Sequence, residues 1–187
     1  MGSFGLNTKR ITTLGILTAL SLVTFMLENL LPPLFLPGAK IGLSNVFSLI
    51  TLFMYTPVDA IILVIIRTTL SCLIVGNVSS LIYSLTAGIV SIIVSSIFVK
   101  FLHPKISVLS ISIVSAVIHN IVQVLVFCLV VSSSLMISYL PYFALIGVLS
   151  GAIVGTLVYL VIHKVPITYY EKLLINYKVK NKEETIC

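Results

Sequence analysis

Charged residues are scarce in this 187-residue sequence. They make up 9% of it, whereas about 25% is usual in soluble globular proteins. Hydrophobic residues reach 59%, and eleven basic and five acidic side chains are too few to cover a water-facing surface. This composition excludes a soluble enzyme, a secreted disulfide scaffold and a disordered linker. It predicts an integral membrane protein.

Motifs for catalysis, nucleotide binding and metal binding are also absent from the sequence. Glu28 and Asp59 are the acidic residues before position 171, so no Asp-rich motif for Mg²⁺-diphosphate exists, and there is no H-E-x-x-H or G-x-x-x-x-G-K-[ST] motif. Cys72, Cys128 and Cys187 form neither a closed pair nor a metal-binding spacing. We therefore predict that the chain alone is not an enzyme, with no catalytic residue, no metal site and no cofactor.

Apolar runs separated by short polar breaks organise the chain. They cover residues 11–27, 41–55, 58–75, 78–99, 106–131 and 137–162. At about 20 residues per crossing, six membrane helices fit this length. The first run follows two basic residues, as in a signal peptide, but no A-x-A-type cleavage site comes after it, so we predict an uncleaved helix. The predicted fold is all-α, with a segment 1–10, a six-helix membrane domain 11–163 and a basic tail 164–187.

Lysine and arginine are distributed unequally between the two predicted sides of the membrane. If the N-terminus is cytoplasmic, Lys40 alone lies outside and Arg67 lies within the third run. The cytoplasmic residues are then Lys9, Arg10, Lys100, Lys105, Lys164, Lys172, Lys178, Lys180 and Lys182. Cytoplasmic loops carry such an excess, so we predict that both termini are cytoplasmic and that the tail contacts membrane lipid. The net charge of +6 therefore follows from membrane topology, and it does not indicate a nucleic-acid partner.

Arg67 is the most costly residue in the predicted membrane domain. An arginine at the centre of a membrane helix costs on the order of 2.5–3.5 kcal/mol on insertion scales, so its side chain needs a partner. Asp59 is on the same helix but roughly 12 Å away along the axis. We therefore expect a ligand or the polar stripe of the fifth helix to contact Arg67. The alternative is a structural arginine bonded to backbone carbonyls or to Asp59.

The fifth apolar run carries a stripe of polar residues. Ser112, Ser115, His119 and Gln123 are spaced by three, four and four residues, and Asn120 lies at the edge of the stripe. This spacing places them on one face of a helix. Such a face either lines a cavity or bonds to a neighbouring helix.

Polar residues also open the second apolar run. Lys40 precedes it, and Ser44, Asn45 and Ser48 follow within two helical turns. Free N–H groups at a helix N-terminus together with an ammonium favour an anion or another polar ligand. The alternative for Lys40 is an interfacial side chain that extends its charge to water.

Small residues at four-residue spacing mark two helices as packing surfaces. Gly147, Gly151 and Gly155 allow another helix to approach closely, most simply within this chain. Gly15 and Ala19 form a shorter version on the first helix. Any membrane helix of this composition could show the shorter version by chance.

Several of these segments together resemble a known bacterial membrane family. They are Pro37-Gly38-Ala39-Lys40-Ile41-Gly42-Leu43-Ser44-Asn45, Arg67 with Leu70 and the Gly76 turn, Ser80 with Tyr83-Ser84-Leu85, and His119-Asn120-x-x-Gln123. Their order and spacing resemble heptaprenyl diphosphate synthase component I, which is also catalogued as the Gx transporter family. The resemblance covers residues 10–165.

The resemblance implies three different functions. The synthase name implies polyprenyl diphosphate formation for menaquinone side chains, with a second subunit performing the chemistry. The transporter name implies a bundle similar to the substrate-binding (S) components of energy-coupling-factor importers, which have six helices with both termini inside and capture vitamins. Such components work with a transmembrane coupling subunit and ATPases. The family is also similar to membrane subunits of flavin-based extracellular electron transfer and quinone metabolism.

The leading hypothesis is a multi-pass subunit of the bacterial cell membrane that binds a small molecule for uptake, such as a vitamin, a flavin or a quinone-related compound. Its ligand-binding residues would be Lys40, Asn45, Arg67, His119, Asn120 and Gln123. Its partner-binding residues would be Gly15 and Ala19, facing the coupling subunit. The alternative is an accessory membrane subunit for heptaprenyl diphosphate and menaquinone synthesis or for extracellular electron transfer.

Overall fold

The regular structure in the described part of the chain is entirely helical. The computed structural model describes residues 8–30, 42–76, 79–102, 105–133 and 135–164. The helices are α1 (Thr8–Leu30), α2 (Asn45–Met54), α3 (Pro57–Val75), α4 (Ser79–Phe101), α5 (Val108–Val131) and α6 (Leu140–Lys164), with a 3₁₀ helix at Leu135–Tyr139 before α6. No strand occurs within these residues, which agrees with the predicted all-α class.

Five of the six α-helices are long and apolar enough to cross a membrane. The exception is α2, whose 10 residues extend only about 15 Å, half of a typical hydrocarbon core. It is shorter than the predicted run 41–55 because Gly42 has a φ of +74° and the helix begins only at Asn45. The sixth crossing therefore stays a prediction, and residues 31–41 lie outside the described residues.

The junction between α2 and α3 is fixed by a capping box. Thr56 accepts a hydrogen bond from the backbone N–H of Asp59, whose carboxylate accepts in return from the N–H of Thr56, with Pro57 in the first turn. Arg10 of α1 donates to the same carboxylate and lies over the Tyr55 ring at 5.9 Å. This ion pair ties the start of α1 to the start of α3.

Three glycines bring α6 against α5. A Cβ atom at Gly151 would lie 2.6 Å from Ile113 Cα, and one at Gly147 would lie 2.9 Å from Val117 Cα. At Gly155 the distance to Leu109 Cα would be 3.0 Å. These distances leave no room for a side chain, so the predicted close approach of helices is confirmed and occurs within this chain.

A buried apolar cluster occupies one half of the bundle, here called the packed half. Its residues are Val46, Leu49, Ile50, Leu52, Phe53, Met54, Tyr55, Ala60, Val64, Ile92, Val108, Ile111, Val154, Val158 and Ile162. Most of α2 belongs to it, and Leu14 near the start of α1 packs against it together with Phe98 near the end of α4. The start of α1 and the end of α6 therefore lie at the same end of the bundle.

Basic residues gather at that same end. Arg10 lies near the start of α1, Lys100 near the end of α4, Lys105 just before α5 and Lys164 at the end of α6. This arrangement is the one that an excess of cytoplasmic positive charge requires. The assignment of this end to the cytoplasm stays a prediction, and the tail after Lys164 lies outside the described residues.

Candidate ligand-binding cavity

A cavity of about 360 Å³ lies between the helices in the other half of the bundle. All six α-helices contribute to its wall. Its polar and charged lining residues are Glu28, Ser44, Asn45, Ser48, Arg67, Thr68, Ser71, Ser80, Tyr83, Ser84, Ser91, Ser112, Ser115, His119, Asn120, Gln123 and Ser150. The volume falls within the range of about 300–1,000 Å³ that is typical of small-molecule sites.

The structure brings five of the predicted ligand-binding residues to this one cavity. Asn45, Arg67, His119, Asn120 and Gln123 all line it, although they come from three helices. The sixth predicted residue, at position 40, lies outside the described residues. Whether any of the six binds a ligand stays a prediction.

The guanidinium of Arg67 is held by the first residues of α2. Its Nη1 donates to Ser44 Oγ and its Nη2 donates to Asn45 Oδ1 at 3.2 Å. The carbonyl of Ser44 in turn accepts a hydrogen bond from Ser21 of α1 at 2.9 Å. The Arg67 side chain is 5% exposed. Ser44 and Asn45 therefore fix the orientation of the buried guanidinium, and Ser21 of α1 in turn holds Ser44 in place.

These contacts correct one part of the expectation about the partner of Arg67, namely the polar stripe of the fifth helix, whereas a ligand as a further partner stays a prediction. The fifth helix supplies none of its hydrogen bonds in the described part of the chain, because the nearby start of α2 offers a hydroxyl and an amide oxygen instead. The alternative partner, Asp59, is also wrong, since its carboxylate pairs with Arg10 in the packed half. The contact between α2 and α3 was not visible in the spacing of either helix alone.

Glu28 is a cavity residue that the sequence analysis did not identify. Its Oε1 accepts a hydrogen bond from the backbone N–H of Leu43 at 2.9 Å, next to the left-handed Gly42. The residue is 7% exposed and lines the same cavity as Arg67. The cost of burying a charge, which singled out Arg67, applies equally to Glu28. Its place at the end of an apolar run marked it only as a boundary.

The polar stripe of α5 faces the cavity as its spacing predicted. Ser112, Ser115, His119 and Gln123 all line the wall. Asn120, at the edge of the stripe, also donates to the carbonyl of Phe143 in α6 at 3.0 Å. Both interpretations of the stripe therefore apply, since it lines a cavity and also bonds to a neighbouring helix.

The contribution of α4 to the cavity wall was not predicted from the sequence motifs. Ser80, Ser84 and Ser91 line the cavity at helical spacing, a periodicity that could have been found in the sequence. Tyr83 also lines it, and its ring packs edge-on against Phe127 of α5 with centroids 5.5 Å apart. Ser80, Tyr83 and Ser84 had entered only as part of the family resemblance.

Several buried polar atoms around the cavity have no hydrogen-bond partner within the described residues. They are Glu28 Oε2, Ser48 Oγ, Arg67 Nε, Ser112 Oγ and His119 Nδ1. Each belongs to a side chain that lines the cavity. In folded proteins most buried polar atoms are paired, so a group of exceptions at one place needs an explanation. The cavity lining therefore holds polar atoms whose hydrogen-bonding capacity is unused within the described residues.

A bundle of long apolar helices around a polar cavity defines a helical, multi-pass membrane protein. Residues 17–161 match the family model of heptaprenyl diphosphate synthase component I, and the chain belongs to this family. The predicted family is thereby confirmed. No curated protein and no solved structure matches the chain. The similarity to S components of energy-coupling-factor importers stays a prediction.

Proposed function

We propose that this protein is the small-molecule-binding subunit of a membrane uptake system of the energy-coupling-factor type. The observation that supports this proposal is the group of buried, unpartnered polar atoms around one cavity. A helix bundle whose polar residues served only to join helices would pair them with one another. Here five buried polar atoms that have no partner within the described residues belong to side chains of the cavity lining.

The shape of the cavity also supports uptake from one side. Four of its apolar lining residues, Leu49, Val64, Ile92 and Val154, belong to the apolar cluster of the packed half. The apolar cluster therefore lies between the cavity and the basic end. At the opposite end it is lined by Glu28 and Val75, which lie near the ends of α1 and α3. If the basic end is cytoplasmic, as we propose, the ligand enters from outside.

The experiment that tests binding compares two arginine variants. Arg67→Lys keeps the positive charge but loses the fork that reaches Ser44 and Asn45, so we expect the bound small molecule to be lost. Arg10→Lys is the matched control, because Arg10 contacts Asp59 in the packed half. Native mass spectrometry of protein purified from its own membranes measures bound mass in each variant.

We expect a bound mass in the wild type and in Arg10→Lys, and at least tenfold lower occupancy in Arg67→Lys, with an unfolding temperature of Arg67→Lys within a few degrees of the wild type. A wild type without bound mass, or an Arg67→Lys variant that keeps it, would contradict the proposal. Arg67 would then be a structural residue.

A second candidate function follows from the family description. A component I of a synthase implies a second component, so this chain would be an accessory membrane subunit of heptaprenyl diphosphate and menaquinone synthesis. Flavin-based extracellular electron transfer is a further version of this candidate. Proteins recovered with the mildly solubilised chain distinguish the candidates. ATPases and a coupling subunit favour uptake, a prenyl transferase favours synthesis and flavoproteins favour electron transfer.

We propose the outer face of α1 as the surface that binds the coupling subunit. Gly15 and Ala19 are exposed, and a Cβ atom at Gly15 would meet no atom within 4 Å. Ala19→Leu fills this face without touching the cavity, so we expect several-fold lower recovery of partner subunits with unchanged thermal stability. Leu20→Ala, at an exposed position beside it, is the control. Equal recovery from both variants would remove the docking role.

A further inference from the structure

The charges around the cavity nearly cancel. Among the lining residues that the structure describes, Arg67 carries the formal positive charge and Glu28 the formal negative charge, with His119 as a further titratable group. Both charged side chains are more than nine-tenths buried. A site built for a polyanion would carry a clear excess of positive charge.

Part of the hydrogen-bonding capacity of the Arg67 guanidinium is already used within the protein. A phosphate is usually bound by two parallel N–H groups of an arginine. In this structure Nη1 and Nη2 of Arg67 already donate to Ser44 and Asn45 on α2. These two bonds use two of the five N–H groups of the guanidinium, and the Nε–H has no partner within the described residues, so the donors left for a ligand belong to a side chain that Ser44 and Asn45 already hold in place.

The Glu28 carboxylate supplies hydrogen-bond acceptors in the same cavity as the Arg67 donors. Oε1 of Glu28 is bonded to the N–H of Leu43, whereas Oε2 is buried and has no partner among the described residues. A carboxylate oxygen accepts hydrogen bonds and repels other anions. The remaining unpartnered atoms include the Ser48 and Ser112 hydroxyls, which both donate and accept.

We infer that the cavity takes an uncharged or zwitterionic polar molecule that presents a hydrogen-bond acceptor to Arg67 and a donor to Glu28, and that it rejects diphosphates and other polyanions. This inference rests on the proposed function and specifies the chemical class of its ligand. A prenyl diphosphate headgroup would bring several negative charges beside the Glu28 carboxylate, with the single positive charge of Arg67 among the described lining residues to balance them.

The test uses probes in matched pairs with the purified full-length protein. The pairs are uridine, pyridoxine and riboflavin, each with its 5′-phosphate, and inorganic pyrophosphate is added as a polyanion. Binding is measured by isothermal titration calorimetry and by the shift in unfolding temperature. We expect at least one uncharged member to bind at least tenfold more tightly than its phosphate, and no binding of pyrophosphate.

The variant Glu28→Gln tests, with the same probes, whether the cavity prefers an uncharged or an anionic ligand. Glutamine keeps an acceptor for Leu43 but removes the charge, so we expect the uncharged probe to bind about tenfold more weakly. An anionic ligand would instead bind more tightly once the carboxylate is gone. Asp59→Asn is the matched control, because it removes a carboxylate from the packed half and leaves the cavity lining unchanged. The unfolding temperature of each variant without probe checks its fold.

The outcomes separate this inference from the proposed function. Tighter binding of a phosphate or of pyrophosphate, or a gain in affinity in Glu28→Gln, overturns the inference and leaves a binding subunit. Binding of none of the seven probes, in a protein that also shows no bound mass when purified, overturns both. Preference for the uncharged probes together with weaker binding in Glu28→Gln supports the inference.

Discussion

The two halves of the helix bundle differ in how their buried polar groups are satisfied. In the packed half, the Asp59 carboxylate accepts from Arg10 and from the backbone and hydroxyl of Thr56. Around the cavity, Glu28 and Arg67 each bond through part of their polar atoms, and the rest have no partner among the described residues. Both halves bury a carboxylate and a guanidinium, but only the packed half joins them directly.

This difference indicates that the packed half stabilises the bundle, whereas the half with the cavity serves binding. Paired charges and close packing fix the arrangement of α1, α2 and α3 in the packed half. Unpaired polar groups lower stability unless something else bonds to them, so they are retained where binding needs them. The comparison predicts that variants in the packed half reduce stability, whereas variants in the cavity reduce binding.

The largest expected effect is on the packed half. Phe53 of α2 is 1% exposed and belongs to the apolar cluster. Removing a buried phenylalanine ring leaves a void, so Phe53→Ala should lower the free energy of unfolding by about 3–5 kcal/mol. Phe101→Ala is the control, since Phe101 is 70% exposed and faces the surroundings of the bundle. Unfolding in mixed micelles with increasing SDS measures both variants.

Equal losses from Phe53→Ala and Phe101→Ala would contradict the comparison, because the apolar cluster would then contribute no more than a surface position. A loss confined to Phe53 would confirm that α2 is held mainly by the packed half. This matters for the cavity, because Ser44 and Asn45 at the start of the same helix hold Arg67.

The limits of most helices could be predicted from the sequence, whereas the contacts between helices could not. Long apolar runs gave α1, α3, α4, α5 and α6 nearly at their observed limits, because a span of the membrane depends on local composition. The α5 stripe was found because its residues share one helix face. The start of α2 was misplaced by several residues, since the left-handed backbone of Gly42 delays the helix.

Contacts between helices were less accessible to prediction. The pairing of Arg10 with Asp59 joins residues that are distant in sequence, and no periodicity within one helix signals it. The same holds for Arg67 with Ser44 and for Glu28 with the N–H of Leu43. The candidate residues were found by their cost in a membrane, whereas their partners depend on how the helices pack.

The smallest expected effect on stability lies in the cavity wall. Ser112 is 1% exposed, and its hydroxyl has no partner within the described residues. Replacing an unpaired buried hydroxyl removes a cost, so Ser112→Ala should leave stability unchanged or raise it by up to about 1 kcal/mol. Ser95→Ala is the matched control, because the Ser95 hydroxyl is equally buried but bonds to the carbonyl of Ser91 at 2.8 Å.

The same SDS titration measures both serine variants, and the difference between them carries the result. If Ser112→Ala destabilises the protein as much as Ser95→Ala, the Ser112 hydroxyl has a structural partner and the contrast between the two halves fails at this position. If Ser112→Ala is as stable as the wild type but binds the small molecule more weakly, the hydroxyl serves the ligand. The Ser112 hydroxyl would then contribute to binding but not to stability, which is what the contrast between the two halves predicts for a residue of the cavity wall.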